Sequence, residues 1–132
     1  MKDKQLVKVI DHANHSATST EEEIITLCRE VKRQGFNAAF VNPCWVKTAK
    51  GELGDKGKVG TVVSFPLGQD TTQAKGQAVL NCLENGADEI DVSANVGWLK
   101  QGRTDKYLDE LAQLVSLVKA HDSSRIIKFI IE

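Results

Sequence analysis

Gly86-Ala87-Asp88-Glu89-Ile90-Asp91-Val92-Ser93 decides how this chain is read. A glycine halts a helical pattern, and a short run with apolar residues at alternate positions follows, as in a strand entered directly from a helix. Asp91 is expected near the far end of that strand, where an unpaired charge would be expensive to bury. An acid held there points to chemistry, and so to an enzyme.

Outward from this strand, apolar segments alternate with amphipathic ones. Leu6 to Ile10 is expected to form a first strand. Thr20 with Glu23 reads as a capping box opening a helix whose stripe is Ile24, Leu27, Cys28 and Val31, with Gly35 as its stop. Ala38 to Val41 is the second strand, and Pro43 opens a short helix through Trp45, Val46 and Ala49. Val59 to Phe65 is the third strand. Thr71 or Thr72 then caps a helix carrying Ala74, Ala78, Val79, Cys82 and Leu83, which Gly86 ends. Glu89 to Ser93 is the fourth strand, Asn95 to Trp98 a loop, and Leu108, Leu111, Leu114, Val115 and Val118 stripe a fourth helix. Ile126 to Ile131 is the fifth strand.

Short joins between parallel strands require right-handed crossovers, which makes the chain an α/β protein of five parallel strands and four main helices. An open doubly wound sheet and part of a closed (β/α) barrel both satisfy this pattern. A whole barrel needs roughly 200 residues or more, and the chain has 132. Asp11, Asn42, Ser64 and Asp91 are expected at strand ends, where a barrel gathers its active site.

Composition narrows the partners. A net charge of −1, with basic residues scattered among acidic ones, offers no field for nucleic acid or anionic lipid. The opening Met1-Lys2-Asp3-Lys4-Gln5 leads into an apolar run too short for a signal peptide or membrane span, so a cytoplasmic location is expected. Cys28, Cys44 and Cys82 are widely spaced and odd in number, which favours buried structural thiols over a disulfide framework or zinc site.

Asp91 and Lys128 form the candidate catalytic pair. A carboxylate beside an ammonium can move protons, and a desolvated lysine can attack a carbonyl; a plain buried ion pair is the structural alternative. Glu89 and Asp91 share one strand face while Asp88 faces away, so a metal site could draw on two carboxylates at best. His12 and His15 are expected in a solvated turn. Phe65-Pro66-Leu67-Gly68 lacks phosphate-loop spacing and reads as a strand-to-helix turn, and neither Trp45 nor Trp98 is assigned to a pocket.

Several blocks follow in the order of one known family: Ile10-Asp11-His12, Thr20-Glu21-Glu22-Glu23-Ile24, Phe40-Val41-Asn42-Pro43-Cys44-Trp45-Val46, Phe65-Pro66-Leu67-Gly68, Glu84 to Asp91, Asn95 to Gly102 and Ile126 to Glu132. In these the chain resembles the amino-terminal five-eighths of a deoxyribose-phosphate aldolase. The resemblance implies a partial TIM-type barrel in one unit, residues 1–132, and reversible cleavage of 2-deoxyribose 5-phosphate to glyceraldehyde 3-phosphate and acetaldehyde. That chemistry uses a lysine Schiff base, with neither cofactor nor metal.

By resemblance Asp91 joins a proton relay, Asp11 and Phe40 line the substrate pocket, and Lys128 belongs to the charged network inside the barrel. The Schiff-base lysine would lie on a sixth strand and the phosphate site on the seventh and eighth. The chain by itself is then expected to be inactive and to self-associate as a homo-oligomer through open sheet edges. Two alternatives stay open: a non-catalytic binding or assembly module, and an enzyme using Lys128 as substitute nucleophile. One departure is plain, since family members continue Asp-His-Thr with two leucines and a lysine, whereas this chain reads Ala13-Asn14-His15-Ser16.

Overall fold

The computed structural model describes residues 3–132; Met1 and Lys2, part of the amino-terminal stretch read above, lie outside the described residues. Five strands, β1 (Asp11–Asn14), β2 (Ala38–Val41), β3 (Lys58–Val63), β4 (Glu89–Ser93) and β5 (Ile126–Ile130), pair in parallel in the order β1-β2-β3-β4-β5. That order separates the two architectures. A doubly wound sheet reverses direction at a switch point, whereas here every crossover steps the same way, which keeps all helices on one face and curls the sheet as in a barrel. The fold is a partial (β/α) barrel.

The helices on that outer face are α2 (Glu21–Gln34), α3 (Val46–Leu53), α4 (Thr72–Glu84), the short α5 (Val96–Lys100) and α6 (Thr104–His121), after an amino-terminal turn α1 (Asp3–Leu6). The capping box of α2 forms: the Thr20 amide donates to Glu23 and the Glu23 amide to Thr20, while Gly35 closes the helix in the left-handed region. Thr71 rather than Thr72 caps α4. Outward residues of the strands, among them Ala39, Val41, Val59, Val63, Ile90 and Val92, pack against Ile24, Leu27, Val31, Val79, Leu83 and Val118 of the helices in one core. Inward positions carry the charged residues Asp11, Glu89, Asp91 and Lys128 among apolar ones such as Phe40 and Val62, and this alternation sets an apolar outer layer against a charged inner face.

Several expectations need correction. Leu6 to Ile10 is not a strand: Asp3–Leu6 is helical, Val7–Val9 a 3₁₀ turn, and Leu6, Val9 and Ile10 are exposed. The spacing of those three is helical, and the strand begins where Asp11 can pair beside Ala38. Strand β3 stops at Val63, because Ser64 turns to φ 59°. The Asn95 to Trp98 loop is the cap and start of α5, with the Asn95 side chain accepting from the Trp98 amide. On α6 the buried face is Tyr107, Glu110, Leu114 and Val118, and Leu108 and Val115 are exposed. On α4 the buried row contains Lys75, with Ala74 exposed.

Those last two corrections share a cause. Lys75 Nζ and Glu110 Oε1 meet at 2.6 Å with both side chains shut off from water. Thr72 donates to the other Glu110 oxygen at 2.7 Å, and Lys75 also donates to the Ser93 carbonyl at 3.0 Å. The hydrophobic pattern passes over a buried charge when its partner sits on another helix. The thiols are corrected as well: Cys28 and Cys82 are buried, whereas Cys44, in the 3₁₀ turn Pro43–Trp45, is exposed.

Two predictions follow from this packing. Lys75→Met alone should lower unfolding stability by about 3–5 kcal/mol, because Glu110 loses its partner in the dry interior, and Lys75→Met with Glu110→Leu should recover most of the loss; urea denaturation of both variants checks it. Burial pushes the Cys28 and Cys82 thiols up to about 11. A thiol reagent at pH 8 should therefore label Cys44 alone in the native protein and all three cysteines in denaturant, read by intact mass.

Candidate active site

The inner face of the sheet is built by period-two alternation: Asp11, then Ala38 and Phe40, then Gly60 and Val62, then Glu89, Asp91 and Ser93, then Lys128. At its centre the Lys128 ammonium reaches three carboxylates, Asp11 Oδ2 at 3.1 Å, Glu89 Oε2 at 3.2 Å and Asp91 Oδ1 at 3.2 Å. The cation also lies 4.6 Å from the centre of the Phe40 ring, whose negative face attracts it. Phe40 fits because residue 60 is glycine; a Cβ there would come within 2.2 Å of the ring.

Asn37 donates to Asp11 at 2.7 Å and to Glu89 at 3.3 Å, and Lys58 reaches Glu89 at 3.1 Å. Asp88 faces the other way, accepting from the Val59 amide and pairing with Lys50 and Arg125. It clamps the entry ends of β3, β4 and β5 and takes no part in the inner network.

Sequence-predicted Asp91 and Lys128 are thus brought together, and Asp11 joins them. Asp11 opens β1 rather than ending it, and Asp91 lies in the middle of β4, so the charged cluster sits deeper than the carboxyl rim. Phe40 is buried beneath the ammonium. The structure adds Glu89, Asn37 and Lys58, which sequence reasoning weighed only as a metal ligand or not at all; the Glu89/Asp91 alternation opposite Lys128 was the available signal. Among the described residues no group of three or more His, Cys, Asp or Glu side chains is poised to hold a metal ion. The place where three carboxylates converge is filled by the Lys128 ammonium.

The histidines also depart from a solvated turn. His12 lies in β1, bonded to Glu30 at 2.8 Å and stacked on Phe36. His15 is half-buried against Phe65, with ring centroids 5.7 Å apart. Trp45 packs on the outer core, and Trp98 is capped by the Lys106 ammonium.

Electrostatics distinguish the pair. Burial pulls the Lys128 ammonium toward the neutral amine, but its hydrogen bonds to Asp11 and Glu89 and the charge of Asp91 outweigh this and raise its pKa above the ordinary lysine value. Burial raises Asp91 above the ordinary aspartate value, with Lys128 pulling back and Asp11 and Glu89 pushing further up. Lys128 is a firmly held cation, and the Asp91 carboxyl holds its proton more tightly than an ordinary aspartate.

Because the folded state holds the Asp91 proton more tightly than the unfolded chain, this group's stabilising contribution is complete below the ordinary aspartate value. It is lost as pH rises through the raised one. Lys128→Met removes the attraction that opposes the shift, so the Asp91 pKa should move higher still and that loss should extend to higher pH. Carboxyl ¹³C titration of both proteins measures this; an Asp91 value unchanged or lowered in the variant would contradict the assignment.

No described helix is long and apolar enough to cross a membrane. Residues 5–132 match the family model described as DeoC/LacD family aldolase. The chain is 40% identical over 131 residues to a deoxyribose-phosphate aldolase of Geobacillus sp., covering 98% of this chain and 57% of that protein. It is 41% identical over 130 residues to that of Thermococcus gammatolerans, covering 96% and 57%. The chain therefore spans little more than half the length of these curated relatives. Among solved structures, a putative deoxyribose-phosphate aldolase from Coccidioides immitis superposes with a TM-score of 0.90 at 28% identity, over 100% of this chain and 51% of that one. The tetrameric deoxyribose phosphate aldolase from Aeropyrum pernix gives 0.87 at 30% identity, over 98% and 53%. With a family model matched from residue 5 to residue 132, on a partial barrel whose inner face gathers a lysine and three carboxylates, the chain belongs to the DeoC/LacD aldolase family.

Proposed function

We propose that these residues supply the amino-terminal part of a deoxyribose-phosphate aldolase site, in a single partial barrel spanning 1–132. Asp91 moves a proton while a lysine from outside these residues forms the Schiff base with the sugar-phosphate carbonyl. The observation that carries this reading is the Asp91 carboxyl, half-buried on the inner face 3.2 Å from the Lys128 ammonium, with burial raising its pKa above the ordinary aspartate value. Lys128 keeps Asp11, Glu89 and Asp91 in register as an electrostatic anchor, and Phe40 supplies the flat surface under it.

Charge balance supports a contribution from elsewhere. Three carboxylates face only Lys128 and Lys58 on the described inner face, and the surplus negative charge favours further cations entering from the open side. Strands β1 and β5 are the sheet edges, which favours pairing with further strands of the same protein or with a second copy in a homo-oligomer. A cytoplasmic setting suits the three free thiols. Lys128 as substitute nucleophile is disfavoured, since attack on a carbonyl needs the neutral amine.

Incubation with 2-deoxyribose 5-phosphate and borohydride, followed by peptide mapping, tests the reading. The chain alone should give no adduct at Lys128. Mixed with the carboxyl-terminal part of the Thermococcus relative, it should restore cleavage, and Asp91→Asn should reduce that cleavage by about 10²-fold or more. An adduct mapped to Lys128 would overturn the reading.

A further inference from the structure

Stability alone does not account for the buried pair Lys75 and Glu110. Both side chains are shut off from water between α4 and α6, behind the sheet. Two charges in a dry core cost desolvation energy, and an apolar pair of similar volume would join the two helices as well or better. The placement of Lys75 adds to that cost. It lies in the first turn of α4, Thr72–Glu84, where the helix dipole favours an anion and opposes a cation.

What an apolar pair cannot supply is a hydrogen-bond donor. The Lys75 ammonium passes through the outer layer to the Ser93 carbonyl at 3.0 Å, so that a helix side chain holds the backbone of the last residue of β4. Glu110 is fixed in turn by Lys75 at 2.6 Å and by the Thr72 hydroxyl, which donates at 2.7 Å. Two helices thereby aim one cation at one backbone oxygen, and a charged donor in a dry setting makes a stronger bond than a neutral one.

The same end of β4 is confined from two other directions. A Cβ at Gly68 would strike the Ala94 carbonyl and stand 3.0 Å from that of Ser93, and the Ala94 amide donates to the Ile130 carbonyl at 3.0 Å. Two residues before Ser93 on this strand is Asp91, whose carboxyl stands 3.2 Å from the Lys128 ammonium. A strand side chain moves with its backbone, so play at Ser93 becomes play at Asp91. Misplacing a reacting group by about 1 Å can slow a reaction about 10²-fold.

We infer that Lys75 is a positioning residue: through the Ser93 carbonyl it fixes the carboxyl end of β4 and so keeps the Asp91 carboxyl in its place on the inner face, while Glu110 serves by holding Lys75. The consequence for catalysis rests on the aldolase reading above; the hold on β4 does not.

Two variants separate position from stability. Lys75→Met with Glu110→Leu gives an apolar pair and leaves the Ser93 carbonyl without its donor. Glu110→Gln keeps Lys75 on Ser93 and removes its countercharge. Amide exchange followed by NMR reads both ends of β4: the Ala94 amide at the carboxyl end, and the Asp88 amide, which donates to the Val59 carbonyl, at the entry end. The ratio of the Ala94 rate to the Asp88 rate should rise about tenfold or more in the stable double variant, for the loss of one bond from a charged donor, and hold in the less stable Glu110→Gln. In the complemented protein kcat should fall about tenfold or more in the double variant with KM nearly unchanged, and hold in Glu110→Gln.

An exchange ratio or a kcat that follows stability instead, disturbed in Glu110→Gln and normal in the double variant, would overturn the inference. Should the double variant not fold, Glu110→Gln decides: a ratio or kcat that falls out of line there overturns it, and both holding despite lowered stability supports it. A raised ratio with no cleavage by any complemented protein would sink only the aldolase reading. Cleavage with ratio and kcat unaltered in the double variant would sink only the role of Lys75.

Discussion

The interior of this protein is organised around one ammonium group. Lys128 projects from the last described strand and holds carboxylates from β1 and β4, so that segments up to 117 residues apart are fastened through a single atom. A lysine in such a place costs desolvation energy, which is offset only if every face of the ammonium finds an acceptor or an aromatic surface. Asp11, Glu89, Asp91 and Phe40 provide them. Much of the local sequence serves this arrangement: Gly60 makes space for the Phe40 ring, Asn37 orients Asp11, and Lys58 shares the charge of Glu89.

The anchor also explains the division of labour along β4. Its outward residues Ile90 and Val92 belong to the core, whereas its inward residues climb from structural to chemical use. Glu89 is nearly sealed and bonded to two lysines. Asp91 is half-buried, with Oδ1 3.2 Å from the Lys128 ammonium, and the Ser93 hydroxyl has no side-chain partner. The far end of the strand is steadied from behind by Lys75, itself locked to Glu110. Two buried ion clusters, one inside the sheet and one behind it, thus bracket the residues whose polar atoms remain available.

The family assignment and the partial span of its relatives fit this picture from different directions. The superposition with relatives covers the whole chain but about half of each relative, and the inner face described here carries more negative than positive charge. The sheet ends in two edges, β1 and β5, beside an interior in which three carboxylates face two lysines. The Ala13-Asn14-His15-Ser16 segment runs off the carboxyl end of β1, where His15 packs against Phe65, away from the Lys128 anchor.

The sequence by itself determined the parallel α/β pattern, most element positions, the capping box at Thr20 and Glu23, and the pairing of Asp91 with Lys128. Each of these follows from local periodicity or from the cost of burying a charge on an apolar strand. It did not determine the direction of winding, because strand order depends on how each crossover lands and both architectures share one local pattern. The helical start at Leu6 to Ile10 was misread because a short apolar run has no period long enough to separate the two forms. Lys75, Glu110 and the role of Glu89 stayed hidden because a buried charge is identified by its partner, and those partners lie 35 and 39 residues away. Only the tertiary structure could gather Asp11, Asn37, Lys58 and Glu89 around Lys128, since they stand on separate segments and meet only where the sheet brings its strands side by side.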